Sequence, residues 1–350
     1  MNTRKTLTLE LTGIIGAALV AILLGIIIIY IVSEEPLTAI QSLLLGPISS
    51  AFNIGTVLNK AVPLIFTGLA LAIVFQAGVF SMGAEGQLYM GAFVGALAAL
   101  YIPGLPVWVH LPIIFLAAIC AGAIFGAIPG FLKAYLNTDE IVTTLMLNFI
   151  AILSTSYFVN NIFKDPASGG YARMQYIASD LRLGRIVEGF TAHYGIIIAL
   201  ATVIVIYLLL YKTKFGYELR MVGQNSRFAH YGGISTKKII ILSVVISGGL
   251  AALAGIIEIL GVHGTFKDYF SINLGFDGII IALLARNHPF GVAVAALFYA
   301  YLQVGAQLMQ GASDVPRELA VIIQVILVLL VSSQAIFTFL RQKYLLRQGR

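Results

Sequence analysis

The chain has 350 residues, of which 59% are hydrophobic and only 10% charged, whereas a soluble domain carries about 25% charged residues. With a mean hydropathy of +0.97, a water-soluble protein would expose large apolar patches, while lipid requires no polar surface. The formal net charge of +6 does not indicate nucleic acid, because the basic residues collect in loops as membrane insertion dictates. The single cysteine, Cys120, excludes an intrachain disulfide and a thiolate metal cluster.

Arg4 and Lys5 precede an uncharged run at 11–32. It is longer than a signal-peptide core and ends in Ser33-Glu34-Glu35-Pro36 rather than a small-residue cleavage site, so it reads as a retained first span. About 20 apolar residues cross a bilayer, and runs of that kind follow at 61–80, 141–163, 189–211, 239–257, 289–312 and 319–340. The run 86–132 is long enough for two spans, and Pro103-Gly104-Leu105-Pro106 divides it. Residues 275–285 are apolar but short, which predicts a broken or half-length span. The result is an all-α polytopic membrane protein of about ten transmembrane helices. With the N-terminus inside, fourteen of the 21 basic residues face the cytoplasm and seven face outward. This bias predicts that both termini are cytoplasmic, and it holds only if the short span is counted. The expected organisation is one transmembrane domain over 1–340, with a cytoplasmic loop at 212–238, an external loop at 161–191 and a basic cytoplasmic tail at 341–350.

Small residues recur at four-residue spacing in several spans: Gly122, Gly126 and Gly130; Gly91 and Gly95; Ala251 and Gly255. Such spacing lets helix backbones approach where lipid supplies no hydrophobic drive. It predicts compact packing within one bundle, with a subunit contact as the alternative. Gly83-Ala84-Glu85-Gly86 and Gly275-Phe276-Asp277-Gly278 are each a Gly-x-acid-Gly break before an apolar stretch. Paired breaks in two halves point to an internal repeat around a central pathway. Read as plain helix starts, Glu85 and Asp277 would instead cap the helices that follow.

No Gly-x-x-x-x-Gly-Lys-[Ser/Thr] occurs, so ATP is not held here in the P-loop manner. The five histidines are scattered without an i, i+4 pair, and no Gly-x-Ser-x-Gly elbow exists; neither a catalytic residue nor a metal ligand is assigned. Within the spans ionisable groups are few, Glu258 being the clearest, which offers little to an ion-coupled carrier. The loop 212–238 holds six basic residues against Glu218 alone. Asn225 or Ser226 would cap a short helix through Arg227, Phe228, Ala229 and His230, and Gly232-Gly233 would stop it. Such a helix suits docking into a partner's groove; the alternative is a loop whose charges only fix orientation. Glu140, Thr144, Asn148 and Thr155 share one helical face. Because an unpaired amide in hydrocarbon costs several kcal/mol, Asn148 either bonds another helix or lines a polar pathway. Tyr299, Gln303, Gln307 and Gln310 form a second such stripe.

Three segments resemble the permease subunits of ABC importers for simple sugars and nucleosides, within the family that includes branched-chain amino-acid permeases. Residues 81–92, Ser-Met-Gly-Ala-Glu-Gly-Gln-Leu-Tyr-Met-Gly-Ala, are similar to the family's signature near its third span. Residues 139–150, Asp-Glu-Ile-Val-Thr-Thr-Leu-Met-Leu-Asn-Phe-Ile, resemble its nucleoside branch. Residues 216–225, Gly-Tyr-Glu-Leu-Arg-Met-Val-Gly-Gln-Asn, with Ala229, Tyr231, Gly233 and Ile234, are similar to its coupling loop. After Asn225 many members carry a proline and paired alanines, whereas Ser226, Arg227 and Phe228 stand here.

The resemblance implies a type II ABC importer permease fold. It also implies a second, different permease chain forming a heterodimer, two cytoplasmic ATPase subunits that carry ATP and magnesium, and an extracellular substrate-binding lipoprotein. This chain would bind no cofactor itself, would lie in the cytoplasmic membrane of a bacterium in contact with lipid, and would bind no nucleic acid. Glu218, Arg220, Gly223, Asn225, Arg227, Ala229 and Tyr231 would couple to the ATPase. Thr144, Asn148, Gln303, Gln307, Glu85 and Asp277 would line the substrate pathway. Ribose-type sugars are the competing substrate class, and an ion-coupled secondary transporter the competing mechanism.

Overall fold

A computed structural model describes residues 26–315 except 32, 103, 188–189 and 272, together with 321–322 and 325–326. The expected spans at 11–32 and 319–340 lie almost wholly outside the described residues, and the basic tail lies entirely outside them. The described residues contain the helices α1 Pro36–Leu44, α2 Ala51–Gln76, α3 Ala84–Tyr101, α4 Val107–Leu136, α5 Glu140–Asn161, α6 Gly195–Lys212, α7 Lys214–Gln224, α8 Ser226–Tyr231, α9 Thr236–Glu258, α10 Leu274–Leu284 and α11 Pro289–Ala312. Among them α2, α4, α5, α6, α9 (prolonged by a π-turn at Ile259–His263) and α11 are long and apolar enough to cross a membrane. β-Structure among the described residues is limited to two isolated bridges, Arg173 with Lys267 and Arg185 with His193.

The chain divides into two compact units, residues 58–298 and residues 1–57 with 299–350. In the larger unit, α2 is apolar on all sides and every residue from 61 to 74 is buried, as a helix without a polar face must be. By contrast, α4 buries one stripe containing Ile114, Ala118, Gly122, Gly126 and Gly130 and leaves Trp108, Leu116 and Ile124 exposed on an apolar outer face. The small residues let backbones meet. A Cβ on Gly122 would overlap the Gly248 carbonyl and one on Gly248 the Gly122 carbonyl, and Gly91 and Gly255 face Ala252 and Leu88 equally closely. The expected packing within one bundle is therefore realised between α3, α4 and α9.

Helix boundaries depart from the apolar runs in two places. The helix expected at 61–80 begins ten residues earlier and stops at Gln76, because Gly78 takes a left-handed conformation with φ 77°. The span expected from 189 starts at Gly195, after an irregular stretch that is fastened to α2 where the Asn59 amide donates to the Thr191 carbonyl at 2.7 Å. Between α4 and α5 the turn is built locally. Asn137 closes α4 with φ 50°, and the Asp139 carboxylate accepts from the amides of Ile141 and Val142 at 2.9 and 3.1 Å. Lys133 and Glu140 pair across that turn at 2.5 Å.

At the opposite end of this unit, residues 162–187 fold over the start of the α9–α10 connection. The amides of Met174 and Ile177 donate to the carbonyls of Phe266 and Gly264, both at 2.9 Å, and the Thr265 hydroxyl donates to the Met174 carbonyl at 2.7 Å. The guanidiniums of Arg173 and Arg182 lie over the Tyr176 ring at 4.5 and 5.5 Å. His193 is 1% exposed, and its Nδ1 accepts from the Gly195 amide at 3.0 Å. Burial pushes its imidazole down to about 4.

In the smaller unit, the Gly305 backbone meets the Leu43 carbonyl and Leu308 meets Gly46. The Tyr301 hydroxyl donates to the Leu44 carbonyl. The Asp314 carboxylate accepts from the Ser33 hydroxyl and from the Glu34 amide, and these bonds hold it below the usual carboxylate range.

Candidate functional site

The hydrophilic loop at 212–238 is more structured than its sequence indicates. Thr213 opens α7 by accepting from the Gly216 amide at 3.2 Å, and α7 itself is a helix that the loop reading omits. Asn225 then caps α8 as expected, its side-chain oxygen accepting from the Phe228 amide at 3.0 Å. Gly233, with φ 82°, ends the segment.

The expected coupling residues divide by what they touch. Arg220 donates to the Leu210 carbonyl at the end of α6, and its guanidinium lies 4.9 Å from the Tyr211 ring centre; cations at helix C-termini are favoured in this way. Gly223 rests against the Gln76 carbonyl and the backbone of Ala77 and Gly78, where any side chain would overlap. Ala229 is 1% exposed. Asn225 and Arg227 are exposed, Tyr231 is 90% exposed, and Glu218 is half-buried beside Lys214 at 3.6 Å. Two further aromatic side chains, Tyr217 and Phe228, stand exposed on the same surface. Between α7 and α8 lies a groove of about 330 Å³, lined chiefly by Tyr217, Glu218, Met221, Phe228, Ala229 and Ile234. Of its lining, Glu218 and Ala229 are among the expected coupling residues, whereas the groove itself is not legible in the sequence, because it exists only once α7 and α8 fold against each other.

Of the expected pathway residues in the larger unit, Thr144, Asn148 and Glu85 are buried and hydrogen-bonded to neighbouring segments. Thr144 and Asn148 are 1% and 2% exposed, and both bond the chain just before and within the start of α3. The Thr144 hydroxyl accepts from the Met82 amide at 3.1 Å. The Asn148 amide group donates to the Met82 carbonyl at 2.8 Å, and its oxygen accepts from the Gly86 amide at 2.8 Å. Of the two roles open to Asn148, the structure realises the bond to another segment. Glu85, 3% exposed, reaches the start of α10: its carboxylate accepts from the Ser271 hydroxyl at 2.7 Å and from the Gly275 amide at 2.5 Å. The two Gly-x-acid-Gly breaks thus meet. Asp277 lies in the first turn of α10, within electrostatic reach of Glu85 and Lys60. Gln303 and Gln307 belong to the smaller unit, Gln303 half-buried and Gln307 exposed. Ser271, which joins this cluster, lies in no motif, and Tyr89 stands in the 81–92 segment without an expected role; the Tyr89 hydroxyl donates to the Ser271 carbonyl at 2.9 Å.

Several known proteins similar to this chain are described as permeases. The glucose ABC transporter permease protein TsgB13 of Haloferax volcanii is 35% identical over 91% of this chain and 86% of its own. The guanosine ABC transporter permease protein NupP of Bacillus subtilis is 34% identical over 93% and 95%. The nucleoside ABC transporter permease protein NupB of Lactococcus lactis is 30% identical over 98% and 94%. Residues 53–332 match the family described as branched-chain amino acid transport system / permease component, a stretch that takes in α2 to α11, the joined breaks and the α7–α8 segment. The chain is a multi-pass ABC transporter permease and belongs to that family.

Proposed function

We propose that this chain is one membrane-spanning subunit of an ATP-driven importer for nucleosides. It would receive substrate from an extracellular lipoprotein and pass it to the cytoplasm of a bacterial cell. The observation that carries the reading is the α7–α8 segment. A capped short helix, a basic surround with one acid and a groove edged by exposed aromatics together make a surface for a folded partner. That partner is a cytoplasmic ATPase, which supplies the nucleotide chemistry that no motif of this chain provides. Arg220, Gly223, Asn225 and Ala229 hold the segment in place, while Glu218, Arg227 and Tyr231 meet the ATPase.

A second, different permease chain completes the pathway. Two guanosine permease proteins of Bacillus subtilis and two nucleoside permease proteins of Lactococcus lactis among the relatives support this pairing. Within the larger unit Asp277 lines the pathway, which Thr144, Asn148 and Glu85 shape by holding the helix starts around it. The glucose permease relative favours a second reading, in which the substrate is a simple sugar.

The test is uptake into proteoliposomes. Guanosine should accumulate only with both permeases, the ATPase, ATP and the binding lipoprotein, and the double variant Arg227→Ala with Tyr231→Ala should weaken ATPase association about tenfold or more. Glucose uptake without guanosine uptake would select the sugar reading. Uptake by the lone chain down an ion gradient would overturn both.

A further inference from the structure

Residues 274–284 form a helix of eleven residues, about 16 Å long and so about half of what a bilayer crossing needs. Its end leads into residues 286–288, where the Asn287 carbonyl accepts from the Gln76 side chain at 2.6 Å, beside the backbone on which Gly223 of α7 rests. Its start therefore lies inside the bundle, where the first-turn amides of a helix have no intrahelical acceptor and no water. Glu85, from the first turn of α3, supplies the acceptor at Gly275 and also takes the Ser271 hydroxyl. A Cβ on Gly275 would overlap the Glu85 backbone, so there is no room for a side chain there. One helical turn further along α3, the Tyr89 hydroxyl donates to the Ser271 carbonyl at 2.9 Å and accepts from the Ser271 amide at 3.3 Å. Two broken helices are thus joined start to start by three side chains. On either side of this joint the backbone is irregular, with left-handed residues at Gly78 in one connection and at Gly264, Tyr269 and Asn273 in the other.

We propose that Glu85 is a positioning residue for transport. Its carboxylate pins the start of α10 to the start of α3, so that the short helix moves with α3. Displacement of α7 enters this pair through Gly223 against Gln76–Gly78, the backbone that leads into α3. Glu85 then acts through the geometry of α10 and does not touch the substrate. This inference rests on the importer reading.

The experiment is a double-mutant cycle of Glu85→Gln and Ser271→Ala in the complete reconstituted transporter, with uptake, ATP hydrolysis and half-saturating substrate concentration measured together. A glutamine offers one oxygen where the carboxylate offers two, so one of the paired bonds is lost, and a buried bond to a charged group carries about a tenfold effect. Each variant should lower substrate moved per ATP hydrolysed about tenfold and leave half-saturation unchanged. The double variant should be no worse than either single one. A raised half-saturating concentration in Glu85→Gln alone would make Glu85 a substrate contact and overturn the proposal, as would effects that multiply in the double variant. Absence of ATP-driven uptake in the wild-type complex counts against the importer reading instead. Thermal unfolding of the same four chains in detergent decides the pin separately: non-additive shifts in midpoint support it and additive shifts overturn it.

Discussion

His193 shows how one residue writes a pH dependence into a membrane protein. Its Nδ1 accepts from the Gly195 amide at 3.0 Å, and Nε2 is buried without a partner. A second proton would turn the acceptor into a donor facing that amide. The unfolded chain takes up this proton below the ordinary value of 6.5, whereas the folded chain resists it down to about 4. The stability His193 contributes is therefore complete above pH 6.5 and is lost as pH falls from there to about 4. The loss amounts to about 3 kcal/mol. Unfolding midpoints in detergent across that range should drop more steeply for the native chain than for His193→Asn. Equal slopes would remove His193 as the cause.

At the scale of elements, α4 and α9 show what a glycine-lined crossing requires. The carbonyls of Gly122 and Gly248 each occupy the space that a Cβ of the other would need. Membrane helices gain little from hydrophobic exclusion, so close backbone contact is what fastens this pair. Gly248→Leu forces the helices apart and should cost about 3 kcal/mol, with a smaller loss for Gly248→Ala. Unfolding of the purified chain in a graded denaturing detergent measures both. Of this crossing, Gly122, Gly126 and Gly130 were legible as a small-residue stripe. Gly248 was not, because it stands next to Gly249 in a helix whose apolar character is uniform around its axis. Likewise the Asn225 cap could be read from residues within one turn, whereas α7 reads as loop although Phe215, Leu219 and Val222 recur at helical spacing, because its eleven residues are dominated by charge and glycine.

At the scale of the whole molecule, the proposed orientation places the α7–α8 segment inside the cell and residues 162–194 outside it. The two ends offer well-separated reporters. In a Cys120→Ser background, Tyr171→Cys, at a position 78% exposed, should react with a membrane-impermeant maleimide in intact cells. Tyr231→Cys, at a position 90% exposed, should react only after the membrane is opened. The opposite pattern would invert the topology derived from the basic residues. Joining the two Gly-x-acid-Gly breaks gives the larger unit an internal correspondence: α2, break and α3 in one half, α9, break and α10 in the other. α2 leads into its break from the end that carries α7, α9 from the opposite end. Breaks that enter from opposite ends and meet inside a bundle are the arrangement expected of inverted repeats.

The sequence by itself determined the class of protein, most of the spans and the existence of a short capped helix in the hydrophilic loop. Each of these depends on composition over some twenty residues or on chemistry within one turn, and both are local. It also marked Glu85, Asn148 and the two glycine breaks as unusual, since polar groups in apolar runs must find partners. Which partners they find was decided only by the tertiary structure. Glu85 meets Ser271 and Gly275, 186 and 190 residues away, and Asn148 meets Met82 and Gly86, 66 and 62 residues away. A hydrogen-bonding group announces that it needs a partner, but the crossing of helices determines which distant backbone arrives within 3 Å. That is why the sequence shows that Thr144, Asn148 and Glu85 need partners, while only the fold brings the starts of α3 and α10 to them.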